Sequence, residues 1–204
     1  MWTDFIIRLF DIVVALIASV VFAPIMLLVA MAIKLEDRGP VFFRQNRVGR
    51  QLVPFSLFKF RSMSQGQELA GSGAVEGQDL SLARAQFQTT VRNDSRITRV
   101  GHWIRRTHLD ELPQLLNVVF GHMSLVGVRP DTPVQESDYS SEYWTERHRY
   151  RPGITGTAQV YAVEELGLAD RSEKERWWLS DRSVLLYLKV LMATVTKVAR
   201  GSSY

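Results

Sequence analysis

The chain contains no cysteine. Disulfides, thiol nucleophiles and cysteine-based zinc sites are excluded, and the redox compartment cannot be read. Histidine is scarce: only His102, His108, His122 and His148 occur. No two of them stand at the His-x-x-x-His spacing of a metal-binding helix, which argues against a transition-metal site. There is no Gly-Lys-Ser or Gly-Lys-Thr, hence no Walker-type phosphate loop. No internal repeat is visible. Neither sign of charge dominates, with 25 Lys and Arg against 21 Asp and Glu, a net charge of +4 and a pI near 9.6. This mild basic excess suits a partner that carries phosphate: a nucleotide, a nucleic acid or an anionic lipid. At 204 residues the chain can form one substantial core, or a domain plus an anchor.

Long apolar runs are not lacking. Ile12 to Ile33 is 22 residues without a charge, and Ser19 is its one clearly polar side chain. As a helix it would rise about 33 Å, enough to cross a hydrocarbon layer of roughly 30 Å. Charged Lys34-Leu35-Glu36-Asp37-Arg38 follows it instead of a small-residue cleavage site, so a signal peptide does not fit. Pro24, preceded by Ala23, should kink the segment. Lys34, Arg38, Arg44, Arg47 and Arg50 place the C-terminal flank in the cytoplasm. Arg8 and Asp11 leave the other flank ambiguous. Hydropathy alone favours a spanning helix, although a bent helix that enters and leaves by one face also fits.

Gly39-Pro40 ends the helix. Val41 to Gln45 and Pro54 to Arg61 are β-rich, joined by the basic turn Asn46-Arg47-Val48-Gly49-Arg50. In the second strand Phe58 and Phe60 share one face, Lys59 and Arg61 the other. That second face is either solvated or the cationic wall of an anion site. Gln65 to Thr90 is polar and reads as a long loop with a short helix near Leu80 to Phe87. Arg96, Arg99, Arg105 and Arg106 fall within eleven residues, with Ile97, Val100 and Ile104 at helical spacing. Such a helix would pack one face and present a basic one, to lipid phosphates in the simplest case.

The chemistry concentrates at Thr107-His108-Leu109-Asp110-Glu111-Leu112-Pro113-Gln114-Leu115, where two carboxylates adjoin. If Asp110 is a helix N-cap, Pro113 falls in the first turn, where proline is tolerated. Asp110 would then sit at the positive end of the helix dipole, which would keep it ionised near a bound anion. An ordinary acidic cap reads the same way. The helix through Leu115 to Phe120 should stop at Gly121. Met123 to Val128 is a short apolar run that leads to Arg129-Pro130, where the proline stiffens the loop and could fix the guanidinium. Gln135 to Arg149 reads as helical. Arg151-Pro152-Gly153-Ile154-Thr155-Gly156-Thr157 reads as a turn with N–H groups available as an anion nest. Residues 172–200 form an amphipathic helix, in one piece or two. Trp178, Leu185, Leu188, Met192, Val195 and Ala199 lie on one stripe, suited to the core or to a headgroup layer.

Six of these segments occur together and in order. They are Gly39-Pro40-Val41-Phe42-Phe43-Arg44-Gln45-Asn46-Arg47-Val48-Gly49, Phe58-Lys59-Phe60-Arg61-Ser62-Met63, Arg96-Ile97-Thr98, Leu109-Asp110-Glu111-Leu112-Pro113-Gln114-Leu115, Val126-Gly127-Val128-Arg129-Pro130 and Arg151-Pro152-Gly153-Ile154-Thr155-Gly156. Together they resemble the bacterial sugar transferase family, the monotopic phosphoglycosyl transferases, in its small single-domain form. The resemblance covers nearly the whole chain. It implies transfer of a sugar 1-phosphate from a UDP-sugar to undecaprenyl phosphate, with release of UMP, as the first membrane step of surface glycan synthesis. It further implies that Asp110 is the nucleophile that carries a covalent phosphosugar, that Glu111 partners Mg²⁺, and that Arg105 belongs to the site. Arg129 matches the phosphate-binding arginine, and Lys59 and Arg61 match basic positions.

The same resemblance makes residues 1–38 a re-entrant helix broken at Ala23-Pro24. Residues 39–204 become a catalytic domain on the cytoplasmic face of the inner membrane, with a variable loop at 64–90 and interfacial helices. The expected fold is α/β, mostly α with a small β element. The partners implied are the UDP-sugar, undecaprenyl phosphate and membrane phospholipids, with no nucleic acid, and a homodimer is left open. The family usually has serine before the helix-breaking proline, and here Ser19 is a candidate substitute for its hydroxyl. Other departures are His108 where serine is usual, Thr157 where tryptophan often follows the Gly-Ile-Thr-Gly turn, and Trp177-Trp178 in place of an Asp-x-x-Tyr pattern, with Glu175 the nearest acid. They bear on sugar and nucleoside preference. The rival from another class is a catalytically silent membrane scaffold for glycan enzymes.

Overall fold

A computed structural model describes residues 2–64, 84, 94–162 and 167–200. Within these the fold is mostly helical, with two small sheets. The first helix, α1 (Trp2–Asp37), is long and apolar enough to cross a membrane, and only 11% of its most apolar window is buried. So little burial excludes a role as the core helix of the domain. The helix runs through Pro24 as one element. Ser19 donates to the carbonyl of Ala15 at 2.7 Å. It therefore does not serve the carbonyl of Val20, the one that Pro24 deprives of its N–H donor.

The two ends of α1 pack on the same domain. Near the N-terminus Ile7 and Ala15 join the larger core, with Phe55, Leu57, Val118, Met123, Trp178 and Tyr187. Between them Asp11 is buried, accepting from Ser124 Oγ at 3.0 Å, Leu125 N–H at 2.8 Å and Tyr187 Oη at 2.9 Å. Near the C-terminus Val29 and Ile33 join a second core with Phe60 and Ile104. Glu36 accepts from the N–H of Arg99, and Asp37 pairs with Arg61.

A hairpin follows. Strands β1 (Phe42–Val48) and β2 (Pro54–Phe60) pair antiparallel, with Phe42 opposite Phe60 and Val48 opposite Pro54. A 3₁₀ turn, Arg50–Leu52, lies between them. The expected short helix near Leu80 to Phe87 falls outside the described residues except for Arg84, which is helical and pairs with Asp138 at 2.8 Å. Helix α2 (Arg99–Arg106) starts after Ile97, because the Thr98 side chain caps the N–H of Gly101 and Ile97 bridges to Met63. Gly101 is required there: a Cβ would stand 2.0 Å from the Ser62 carbonyl.

After α2 come a 3₁₀ turn at Leu109–Glu111 and the short helix α3 (Gln114–Val119), which ends at Gly121 with φ +86°. Strand β3 (Ser124–Val126) then pairs in parallel with β4 (Gly153–Thr155). The crossover between them is not the single helix expected over Gln135 to Arg149. It is a 3₁₀ turn, Pro133–Asp138, and then α4 (Ser141–Arg147), separated where Ser140 caps the new helix. The turn expected at 151–157 is in part strand β4, which takes the N–H of Gly153 away from any anion nest there. The N–H of Gly153 donates to Val128 at 2.9 Å and the Pro152 carbonyl accepts from Ser124, so sheet pairing uses these groups. Thr157, buried in α5 (Thr157–Tyr161), donates to the carbonyl of Lys174 at 2.6 Å.

The C-terminal segment is two helices, α6 (Gly167–Ser180) and α7 (Val184–Ala199), broken where Ser183 caps α7. The stripe read from the sequence divides accordingly. Trp178 is in the core, whereas Leu185, Leu188, Met192 and Val195 lie exposed on one face of α7. The buried face of α7 is instead Leu186, Tyr187 and Val190.

Candidate active site

The candidate site forms where β2, α2 and the 3₁₀ turn at Leu109–Glu111 meet. Asp110 is not a helix N-cap. It lies inside that turn, and α3 begins only at Gln114, after Pro113. Three residues of turn cannot supply a helix dipole, so a different force sets the protonation of Asp110. The turn is positioned from both sides. Upstream, His108 adopts a left-handed conformation, φ 57° and ψ 14°, and reverses the chain at the end of α2. Histidine is among the residues that tolerate this region better than most. Downstream, fully buried Asn117 of α3 accepts from the N–H of Phe58 at 2.9 Å and donates to Ser56 at 2.7 Å. These two bonds fasten α3 to the free edge of β2 and set Lys59 against the carboxylates.

Lys59 Nζ lies 2.7 Å from Glu111 and 4.0 Å from Asp110. This asymmetry separates the two acids. Burial opposes ionisation of Glu111, but Lys59 and Arg129 outweigh it and hold the carboxyl at about 2. For Asp110 burial prevails, and with the adjacent Glu111 charge it raises the carboxyl above the usual aspartate range despite Lys59 and Arg105. Arg105, at the end of α2, is anchored through Nε to Ser62 at 2.8 Å. Arg129 is exposed, with its backbone carbonyl held by Arg147 at 3.2 Å. Arg61, expected beside Lys59, lies one residue beyond β2 and is buried against Asp37 under Gly39. The structure therefore gathers Lys59, Arg105, Asp110, Glu111 and Arg129, and turns Arg61 to the end of α1.

Residues given no place in the site from the sequence complete the surroundings. Arg47 of β1 donates to the Pro130 carbonyl at 2.8 Å and to Gln45 at 2.5 Å, and its buried Nε has no partner. Burial and the facing Arg129 charge both work against it, while Asp131 and Glu111 favour it. Behind the Arg129 loop lies a buried ion network. Arg147 pairs with Asp131 at 2.7 Å and with Glu175 at 3.0 Å, and all three are at most 2% exposed. Arg171 bridges the same two acids at 3.1 Å to each. Burial would raise Asp131, yet Arg147 and Arg171 overcome it and hold the carboxyl at about 2. Of this network, only the Arg171–Glu175 pair, four apart on α6, left a local sequence signal.

Asp110 and Glu111 offer hard oxygen donors. Among the described residues no group of three or more His, Cys, Asp and Glu gathers as a ready-made metal cage. Residues 2–201 match the family model for bacterial sugar transferases.

The chain belongs to the bacterial sugar transferase family.

Relatives within the family include a UDP-N-acetylgalactosamine-undecaprenyl-phosphate N-acetylgalactosaminephosphotransferase of Aeromonas hydrophila. It is 40% identical over 202 residues, covering 97% of this chain and 44% of that protein. The undecaprenyl-phosphate glucose phosphotransferase of Komagataeibacter xylinus is 38% identical over 200 residues, covering 93% of this chain and 35% of that one. This chain thus spans less than half the length of either relative. The exopolysaccharide production protein PSS of Rhizobium leguminosarum bv. phaseoli matches end to end, 37% identical over 211 residues and 97% of each chain.

Proposed function

We propose that this sugar transferase moves a sugar 1-phosphate from a UDP-sugar to undecaprenyl phosphate, through a phosphosugar held on Asp110. The observation that carries this reading is the Asp110–Glu111 turn, where a buried carboxyl adjoins one kept ionised by Lys59, with Arg105 and Arg129 about them. The carboxylate of Asp110 attacks the β-phosphorus. The new Oδ–P bond forms as the bond from that phosphorus to the bridging oxygen breaks, and UMP leaves with the electron pair. A phosphate oxygen of the lipid then attacks the same phosphorus and releases Asp110. Arg105 and Arg129 offset the charge that builds on the phosphoryl oxygens, and Lys59 keeps Glu111 anionic.

Two neighbouring carboxylates fit Mg²⁺, which takes oxygen ligands and completes its shell with water and substrate phosphate. Glu111 would hold it, with Asp110 alongside. When bound, the ion supplies charge neutralisation at the diphosphate.

We place the chain on the cytoplasmic face of the inner membrane, with α1 re-entrant. Support comes from residues 7–15 and 29–37 of α1, which pack on one domain while Val20 and Val21 between them are exposed. A helix that crossed the bilayer would carry one of these ends away from the domain. The exposed apolar side chains Trp103, Leu116, Phe120, Leu185 and Met192 suit the same interface.

The test combines turnover with intact mass. With Mg²⁺, undecaprenyl phosphate and a panel including UDP-glucose and UDP-N-acetylgalactosamine, the protein should release UMP. Without the lipid it should gain the mass of one phosphosugar. Asp110→Asn should lose about 10⁴-fold in rate and form no adduct. An adduct on that variant would refute the nucleophile assignment, and no UMP release across the panel would favour a silent scaffold.

A further inference from the structure

A second cationic site lies at the N-terminal end of α1, sharing no residue with the candidate active site. Arg8, Arg50, Arg151 and Arg182 line one cleft with Asp4, Asp11, Ser124 and Tyr150. Four guanidinium groups therefore face two carboxylates. Of those two, Asp11 accepts three hydrogen bonds at Oδ1, and Asp4 is paired with Arg182, so two carboxylates stand against four guanidinium groups. The cleft retains an excess of positive charge.

Some of these donors have structural work. Arg8 donates to the carbonyls of Val118 at 2.8 Å and Val119 at 3.1 Å, and Arg151 donates through Nε to Gly121 at 2.7 Å. Others have none. Among the described residues no hydrogen bond engages the guanidinium of exposed Arg50 or the terminal nitrogens of Arg151. The Nε of Arg182 is buried without a partner, while its guanidinium lies 4.3 Å over the ring of Tyr150. Burial, Arg8 and Arg50 together work against the charge on Arg151. Like charges packed this closely, with donors unspent, are relieved by an anion whose several oxygens accept at once.

The position of the cleft names the anion. It opens beside the first turns of α1, where Phe5 and Leu9 are exposed, and before α7, whose first turns expose Leu185 and Leu188. A phosphate in the cleft would thus have apolar surface next to it for acyl chains. We propose that the cleft of Arg8, Arg50, Arg151 and Arg182 binds the phosphate headgroup of an anionic phospholipid and anchors the N-terminal end of α1 at the bilayer surface. The proposal rests on the membrane seating of α1 and is independent of the transfer chemistry.

The test uses the full chain in detergent micelles, titrated with a water-soluble short-chain phosphatidylglycerol and, separately, with the matching phosphatidylcholine. The phosphatidylglycerol should raise the unfolding midpoint saturably and the phosphatidylcholine should not. Arg50→Glu should weaken the apparent affinity by about tenfold, as loss of a charge-assisted contact does, and Arg50→Gln should weaken it in the same direction. Arg106→Glu, an equal charge change on exposed α2, should leave it unaltered. Equal shifts with both lipids, or an Arg50→Glu and Arg50→Gln pair that bind like the parent, would overturn the site. Equal protection by inorganic phosphate would overturn its assignment to a lipid. Failure of the parent to float with phosphatidylcholine vesicles would overturn the membrane seating beneath it, an outcome distinct from the other three.

Discussion

Asp110 and Glu111 are consecutive, yet their surroundings drive their ionisation apart. Burial raises Asp110, and Lys59 with Arg129 outweighs burial at Glu111. Two acids separated in this way can hold different roles in one reaction. The raised acid suits the nucleophile, because a more basic carboxylate attacks phosphorus more readily once its proton is lost. The acid held at about 2 stays anionic and available to a cation at any physiological pH. The rate of UMP release should therefore fall on acidification at a higher pH than an ordinary aspartate would give. Lys59 opposes protonation of Asp110 from 4.0 Å, so its removal should raise the Asp110 pKa further. In Lys59→Met the acidic limb of the pH–rate profile should move to higher pH, beyond any loss in maximal rate. A limb that stays in place or moves to lower pH would show that another group controls it.

At the scale of the element, the 129–131 loop is the clearest case of distant residues fixing a local site. Arg47 from β1 holds the Pro130 carbonyl, Arg147 from α4 holds the Arg129 carbonyl, and Asp131 is clamped by Arg147 and Arg171. Removing Arg147 as Arg147→Met would leave Asp131 and Glu175 short of a buried partner. That should cost about 3–5 kcal/mol in urea unfolding, and Arg129 should lose its placement with it. The next residue gives a pH test. Burial pulls His148 down to about 4 from an ordinary 6.5, so the unfolded chain takes up its proton first on acidification. Stability present above about pH 6.5 should be lost progressively towards pH 4, by about 3 kcal/mol in all. His148→Asn should flatten this window. Asp131 adds its own loss mainly below about pH 4, where the unfolded aspartate takes up its proton before the folded one does.

These elements also show what the sequence disclosed. The hairpin and the stop at Gly121 follow from alternation and a left-handed glycine, local signals that are legible in the sequence. The C-terminal segment reads as one helix or two, and the Ser183 cap decides for two. Asp110 was misplaced because Asp-Glu-Leu-Pro reads equally as a capped helix or as a turn before one. Arg61 was misplaced because alternation predicts its face only while the strand lasts, and β2 ends at Phe60. Arg147 and Arg47 lie far along the chain from the loop they hold, so no local window could have revealed them.

At the scale of the whole molecule, the question is how α1 sits in the bilayer. Its 36 residues would extend about 54 Å if straight, well beyond one hydrocarbon thickness. Both ends nonetheless anchor to one polar domain, through Asp11 and Arg8 at one end and through Glu36 and Asp37 at the other. A polar domain cannot follow the helix through the membrane, because buried charges and backbone polar groups there are too costly. In the proposed re-entrant seating both ends share the domain's side, and exposed Val20 and Val21 between them meet lipid. The absence of cysteine makes this directly measurable, since any engineered thiol is the only one. Thr3→Cys, at the N-terminal end, and Glu173→Cys, exposed on α6, should both resist a membrane-impermeant maleimide in intact cells. Both should react once the cytoplasmic face is opened. Val21→Cys should remain protected in either state, because lipid covers it. Labelling of Thr3→Cys from outside, with Glu173→Cys protected, would show that α1 crosses and would sink the re-entrant arrangement.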